Sequence, residues 1–258
     1  MNLITNSSSL LKVKPEYQIL LNNLKERVES KFGDDMKAYY LLGSVGRGEE
    51  IPNISDIDTE IIIKRDVSPE DEIWSEEVKK ELEPLYPLLS RIDLGLMHEK
   101  AFESSRTDSL KFIFKTDGVL ISGTDIASNF TSLPPGEELA RLLNQNYREM
   151  LAEIQKIISE PDEEDKHNPH HIAECVGWIS KKTLRLCLGI VMFNEPFYTC
   201  SFNDMAEKFT TLYPDYWIQA MKALQQYRQP TSDVKEAASF CQVLSQTIYK
   251  LADKKFGE

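Results

Sequence analysis

A chain of 258 residues is too long for a small disulfide-stapled scaffold and long enough for one large domain or two ordinary ones. Its 30 Lys and Arg stand against 42 Asp and Glu, a formal charge of −12. That balance argues against general nucleic-acid binding, whose footprint should be basic, while leaving room for a local basic pocket. Hydrophobic residues at 41% and charged residues at 28% argue against global disorder.

No apolar run approaches the roughly 20 residues a bilayer span requires. The first fifteen residues carry no apolar stretch after a basic start, so no secretory signal is expected. Cys175, Cys187, Cys200 and Cys241 show no C-x-x-C pairing and read as reduced thiols. The expectation is a cytoplasmic protein with no membrane partner.

The lead-in to Pro15, with Ser7-Ser8-Ser9, reads as flexible. From Pro15 a helix is predicted, because Tyr17, Leu20, Leu21, Leu24 and Val28 recur at three- and four-residue steps and Gly33 can close it. Ala38 to Leu42 is a short buried strand ending at Gly43-Ser44, and Ile57 to Lys64 is an isoleucine-rich second strand. Residues 69–83 form an acidic helix stopped by Pro84 and Pro87, and Arg91 to Met97 form a third strand. A helix over about 99–116 and a strand at Val119 to Ser122 complete an α+β region, a mixed sheet with helices.

After Leu133-Pro134-Pro135-Gly136 the pattern is helical only. One helix is expected over 137–159, then an acidic spacer (Pro161-Asp162-Glu163-Glu164-Asp165) and a helix over about 170–193. Two or three more helices cover about 202–228 and 232–255, with a break at Pro230. The boundary is placed near Pro134-Pro135, giving domains 1–134 and 135–258, the second all-α.

The chemistry concentrates in Leu41-Leu42-Gly43-Ser44-Val45-Gly46-Arg47-Gly48-Glu49-Glu50, continuing to Ser55-Asp56-Ile57-Asp58. Strand alternation points Asp56, Asp58 and Glu60 one way and Ile57 into the core. Clustered carboxylates raise one another's pKa unless a cation lies between them, and hard oxygen ligands of this kind suit Mg²⁺. Upstream, the glycines at 43, 46 and 48 let backbone N–H groups approach an anion, with Ser44 and Arg47 as added donors. Phosphate donors beside paired acids and a divalent ion are the parts of phosphoryl or nucleotidyl transfer. The spacing fits neither a dinucleotide fingerprint nor a Walker loop, since the third glycine and the lysine are missing.

An apolar strand, Gly43-Ser44, the eleven residues 45–55 and then Asp56-Ile57-Asp58 resemble the signature of the DNA polymerase β superfamily of nucleotidyltransferases. The resemblance spans roughly residues 37–97. With the helical second domain, the whole looks most like the aminoglycoside adenylyltransferases and their small-molecule relatives. The resemblance implies a third acid from a later strand, and Asp93, 35 residues beyond Asp58, is the candidate. It implies Mg²⁺ held by Asp56, Asp58 and Asp93, and an NTP, ATP by preference, held by Gly43, Ser44 and Arg47. A hydroxyl of a small-molecule acceptor would attack the α-phosphorus, and pyrophosphate would leave. The general base is left open between Asp93, Glu60 and Glu99. Thr59 departs from the family pattern, standing where an apolar residue is usual, and Glu60 adds an acid to the same face.

In the helical domain, which would close the cleft, Lys181, Lys182 and Arg185 fall at helical spacing. Two readings fit them: Lys182 and Arg185 on the nucleotide phosphates, or a solvated helix face. Cys175, Trp178, Ile179 and Leu186 read as that helix's core face, and His167, His170 and His171 as loop and helix-start residues. Tyr198, Tyr213, Tyr216 and Trp217 read as packing or as a ring-stacking surface. Two competing functions stay open, nucleotidylylation of a protein partner and a nucleotide-binding regulator without turnover. The acceptor, the preferred NTP and the oligomeric state are not legible.

Overall fold

A computed structural model describes residues 4–160 and 169–257. The acidic spacer and His167 lie outside the described residues. The chain divides into two compact units, one running to Ser132 and one from Leu133 onward.

The first unit is built on a four-stranded mixed sheet in the order β3-β2-β1-β4. Its strands are β1 (Met36–Leu42), β2 (Ile57–Ile63), β3 (Ile92–His98) and β4 (Val119–Gly123). β1 runs antiparallel to β2 and β4, while β2 and β3 are parallel. Because side chains alternate along a strand, each face of the sheet collects its own core. Tyr39, Leu41, Ile57, Ile61, Ile63, Ile92 and Leu94 pack with α1 (Pro15–Phe32) and α3 (Pro69–Leu82). Ala38, Tyr40 and Ile62 pack with Phe114 of α4 (Asp108–Asp117). The apolar stripe of α1 is the predicted one, with Tyr17, Leu20, Leu21, Leu24 and Val28 all buried.

Between β1 and β2 the chain makes a five-residue helix, α2 (Gly43–Arg47), closed by Gly48 in the left-handed region. The lead-in is not loose. Ser9 N–H donates to the Gly46 carbonyl at 2.8 Å, and Asn6 Nδ2 donates to the Gly118 carbonyl at 2.7 Å. Ser8 and Ser9 are held by Asp117 and the Gly46 carbonyl, groups that only the folded chain presents, so the composition that suggested flexibility supplies hydrogen bonds instead.

The helix expected over 99–116 is shorter at its start. Residues 99–107 form two 3₁₀ turns separated by Ser104, whose hydroxyl accepts from Arg106 N–H, and only then does α4 begin. Serine competing for backbone N–H groups is the local reason.

The second unit is helical throughout its described residues. The single helix expected over 137–159 is two, α5 (Glu137–Leu143) and α6 (Tyr147–Ser159). Asn144 and Asn146 make the break: Asn144 Nδ2 donates to the Ala140 carbonyl, and Asn146 takes a left-handed φ of 56°, which asparagine tolerates better than most residues. α7 (Pro169–Met192) is the long central helix, followed by α8 (Phe202–Leu212), α9 (Trp217–Arg228), α10 (Val234–Gln246) and α11 (Ile248–Phe256). These last four are one more than the sequence pattern offered, because Thr247 leaves helical geometry inside the stretch 232–255. Cys175, Ile179, Leu186 and Cys187 are buried on α7, as is Cys241 on α10, and all four cysteines are free. No helix among the described residues is long and apolar enough to cross a membrane.

Candidate active site

Strand directions bring the motif together. β1 ends where β2 and β3 begin, so Leu42 lies opposite Asp58, and Asp58 lies beside Asp93 across the parallel ladder. Asp56, Asp58 and Asp93 each present a carboxylate oxygen, and these oxygens lie within 4.8 Å of one another. All three residues are partly exposed. Oxygen donors from several carboxylates at this separation, open to solvent on one side, suit a hard divalent cation that keeps water or phosphate oxygens in its remaining positions.

The same face of β2 then carries Glu60 and Ile62, passing from chemistry into core. Glu60 sits opposite Gly95, and a Cβ at Gly95 would collide with its carboxylate. Burial, and after it the charges of Asp93 and Asp58, pushes the Glu60 carboxyl up to about 7. Glu99 is elsewhere. It follows the far end of β3, roughly 20 Å along the strand from Asp93 at about 3.3 Å per residue, and pairs with Lys37 at 3.8 Å. Of the base candidates, the fold brings Asp93 and Glu60 to the site and leaves Glu99 out of it.

Thr59, the departure from the apolar pattern, has a local explanation. It is 2% exposed and its hydroxyl donates to the Asp93 carbonyl at 2.9 Å. Ser90 N–H to Ser55 O at 3.0 Å and Ile57 N–H to Arg91 O at 3.0 Å extend the tie between the two strand starts. A buried hydroxyl satisfied in this way fixes the acid-bearing backbones against each other at little cost.

Gly43 is required twice over. Its φ is +79°, and a Cβ there would stand 2.5 Å from Asp58 Oδ2. Ser44, next in α2, is partly exposed. A Cβ at Gly48 would stand 2.8 Å from the Lys12 carbonyl, so the smallness of that residue admits the lead-in, whereas one at Gly46 would make ordinary contact with the Ser8 side chain at 3.4 Å. Arg47 is engaged by Asp117 at 2.6 Å and by Glu49 at 2.9 Å.

Two participants escaped the sequence reading. Arg91 places Nη2 2.6 Å from Asp93 Oδ2 and 3.8 Å from Asp56 Oδ2. Its position two residues before an acid on a strand, hence on the same face, was an available signal. Asp117, which receives Arg47, carried no such signal, because its partners are far away in the chain.

Lys182 and Arg185 belong to α7 in the second unit. Lys182 Nζ stands 5.2 Å from the centroid of the Trp178 ring, and the Arg185 guanidinium 5.6 Å from that of Phe202. Burial, with Arg185 second, lowers the Lys182 amine to about 8. Of the aromatics, Tyr213 stacks on Phe209 at 5.2 Å and Tyr216 meets the same ring edge-on, whereas Trp217 is more than half exposed. His170 and His171 start α7 and join no metal cluster among the described residues.

Comparison with known proteins agrees with the geometry. Residues 21–121 match the family model described as a nucleotidyltransferase domain. Over 90% of this chain and 99% of the other, the fold is similar to that of the spectinomycin adenyltransferase AAD(9) from Enterococcus faecialis, solved with ATP and spectinomycin. The identity is 11% and the TM-score 0.55. A mutant of the MntA-HpeT toxin–antitoxin pair matches at 21% identity, covering 53% of this chain and 94% of the other with a TM-score of 0.29. The Shewanella oneidensis HEPN toxin in complex with MNT antitoxin gives 21% identity, 55% and 95% coverage, and a TM-score of 0.28. No curated protein sequence matches the chain.

Proposed function

We infer that this chain, whose residues 21–121 match the nucleotidyltransferase-domain family model, moves AMP from ATP onto a hydroxyl of a small aminoglycoside-like acceptor and releases pyrophosphate. The observation that carries this reading is the convergence of Asp56, Asp58 and Asp93 beside the Gly43-Ser44 turn. The similarity of fold to an adenyltransferase solved with ATP and spectinomycin, over nearly the whole length of both chains, supports ATP and a compact polar acceptor.

Asp56, Asp58 and Asp93 would hold Mg²⁺, which supplies Lewis-acid stabilisation of the charge developing on the phosphoryl oxygens. Ser44 and the N–H groups of its turn hold the β- and γ-phosphates, with Arg47 behind them. The acceptor's proton passes to Asp93 or Glu60. Burial alone holds the Glu60 carboxyl above the usual carboxylate range, which suits it to accept a proton. Lys182 and Arg185, in the helical domain 135–258, are proposed as further phosphate contacts.

The test is direct. Incubation with α-labelled NTPs and Mg²⁺, alone and with hydroxyl-bearing small molecules, should release pyrophosphate and move label from ATP to the small molecule. Label reaching only a protein partner overturns the acceptor assignment. Tight NTP binding with no release under any condition makes the chain a regulator instead.

A further inference from the structure

Gly43 stands in a backbone conformation that side chains avoid and close to Asp58, so something must hold it there. Asp117, the last residue of α4, is 8% exposed. Its Oδ1 accepts from Ser8 Oγ at 2.6 Å, and its Oδ2 accepts from Gly43 N–H at 3.2 Å and from Arg47 Nη1 at 2.6 Å. The Arg47 side chain is itself only 10% exposed. An ionised carboxylate this buried is tolerated when paired and hydrogen-bonded, as here, and becomes costly when its partners are removed.

The carboxylate therefore ties the lead-in to the start of α2 and the end of α4, beyond the Leu41–Val119 end of the β1–β4 ladder. Ser9 N–H on Gly46 O and Asn6 Nδ2 on Gly118 O reinforce the same junction. Gly43 is the residue common to this clamp and to the acid cluster: its N–H is bound by Asp117, and its α-carbon faces Asp58 Oδ2.

We propose that Asp117 is a positioning residue for nucleotide binding, acting through Gly43 and Arg47 to hold the Ser44 turn beside Asp58, with Ser8 of the lead-in part of the same clamp. Arg47 is then a strut whose contribution passes through Asp117. The proposal rests on the nucleotidyl-transfer reading above.

The experiment uses the full chain and two probes, α,β-methylene ATP with Mg²⁺, and Mn²⁺ alone, both titrated calorimetrically. Asp117→Asn should weaken binding of the ATP analogue about tenfold, the scale of one charge-assisted hydrogen bond. It should leave the Mn²⁺ constant within about twofold, because Asp56, Asp58 and Asp93 are not touched. A residue that only stabilised the fold would lower the melting temperature and leave the nucleotide constant of the folded protein unchanged. The loss in the double variant Arg47→Gln with Asp117→Asn should fall short of the product of the two single losses, since the Arg47–Asp117 contact is shared while Gly43 N–H depends on Asp117 alone.

Wild-type affinity in Asp117→Asn, or losses that multiply in the double variant, overturn the proposal. If Asp117→Asn does not give folded protein, Ser8→Ala takes its place with an expected loss of about threefold, and wild-type affinity there overturns it equally. A wild-type protein that binds no NTP analogue at all fails the functional reading itself, a distinguishable result.

Discussion

The unit ending at Ser132 and the unit beginning at Leu133 are comparable in length, yet they give up their chemistry very differently. In the first, polar residues spaced at i and i+2 on adjacent strands meet, because a strand fixes the direction of every side chain and a ladder fixes its neighbour. Asp58 lies beside Asp93, and Glu60 beside Gly95. In the second, Lys182 and Arg185 share a helix face, yet Lys182 meets a residue four positions back on its own helix whereas the neighbour of Arg185 is decided by how α8 packs. They lie over Trp178 and Phe202. A motif on strands carries its own geometry. A motif on a helix borrows it.

That contrast is most easily broken at the acids. Asp56→Asn and Asp58→Asn should each lower kcat by about a thousandfold or more, the worth of several kcal/mol of metal-borne charge stabilisation, with unchanged circular dichroism. Near-wild-type turnover by either purified variant in Mg²⁺ would mean that strand register had misled.

Gly43→Ala comes next. The left-handed backbone costs an alanine about 1–2 kcal/mol, and the new methyl presses on Asp58. Displacement of this proposed metal-binding acid by about 1 Å should lower kcat/KM by about a hundredfold. Unchanged steady-state kinetics would show that the turn relaxes without moving the acid.

Glu60 sharpens the comparison through pH. Its carboxyl is raised from 4.5 to about 7, so the folded protein keeps a proton that the unfolded chain gives up. Stability from this group therefore falls as pH rises from about 4.5 to 7 and stays low above that. Glu60→Gln, unable to ionise, should match the wild type near pH 4.5 and exceed it by about 2 kcal/mol at pH 8, measured by urea unfolding with a chelator present. Equal stability at pH 8 would remove the costly buried charge from the account.

The smallest effect is expected in the helical unit. Lys182→Ala and Arg185→Ala should each raise the KM for ATP by about tenfold if they reach the phosphates as proposed. A loss of about 0.5–1 kcal/mol of stability with KM unchanged would confine them to their aromatic neighbours.

Much of this molecule was present in its sequence. Hydrophobic spacing gave α1 and the strands, because burying one face of a helix or sheet dictates a period that any solvent-exposed fold must respect. The Gly-Ser and Asp-x-Asp pair pointed to the candidate site, because few arrangements other than anion and metal binding repay clustered acids at a strand start. The breaks at Asn146 and Thr247 were not legible, since a side chain's competition for backbone groups is decided by what packs around it. Nor was the close approach of the lead-in to Gly48, where a Cβ would stand 2.8 Å from the Lys12 carbonyl. Asp117 and Arg47 were brought together only by the fold, 70 residues apart in the chain. Local geometry is written in local residues, whereas a buried ion pair between distant segments exists only once the chain has closed around it.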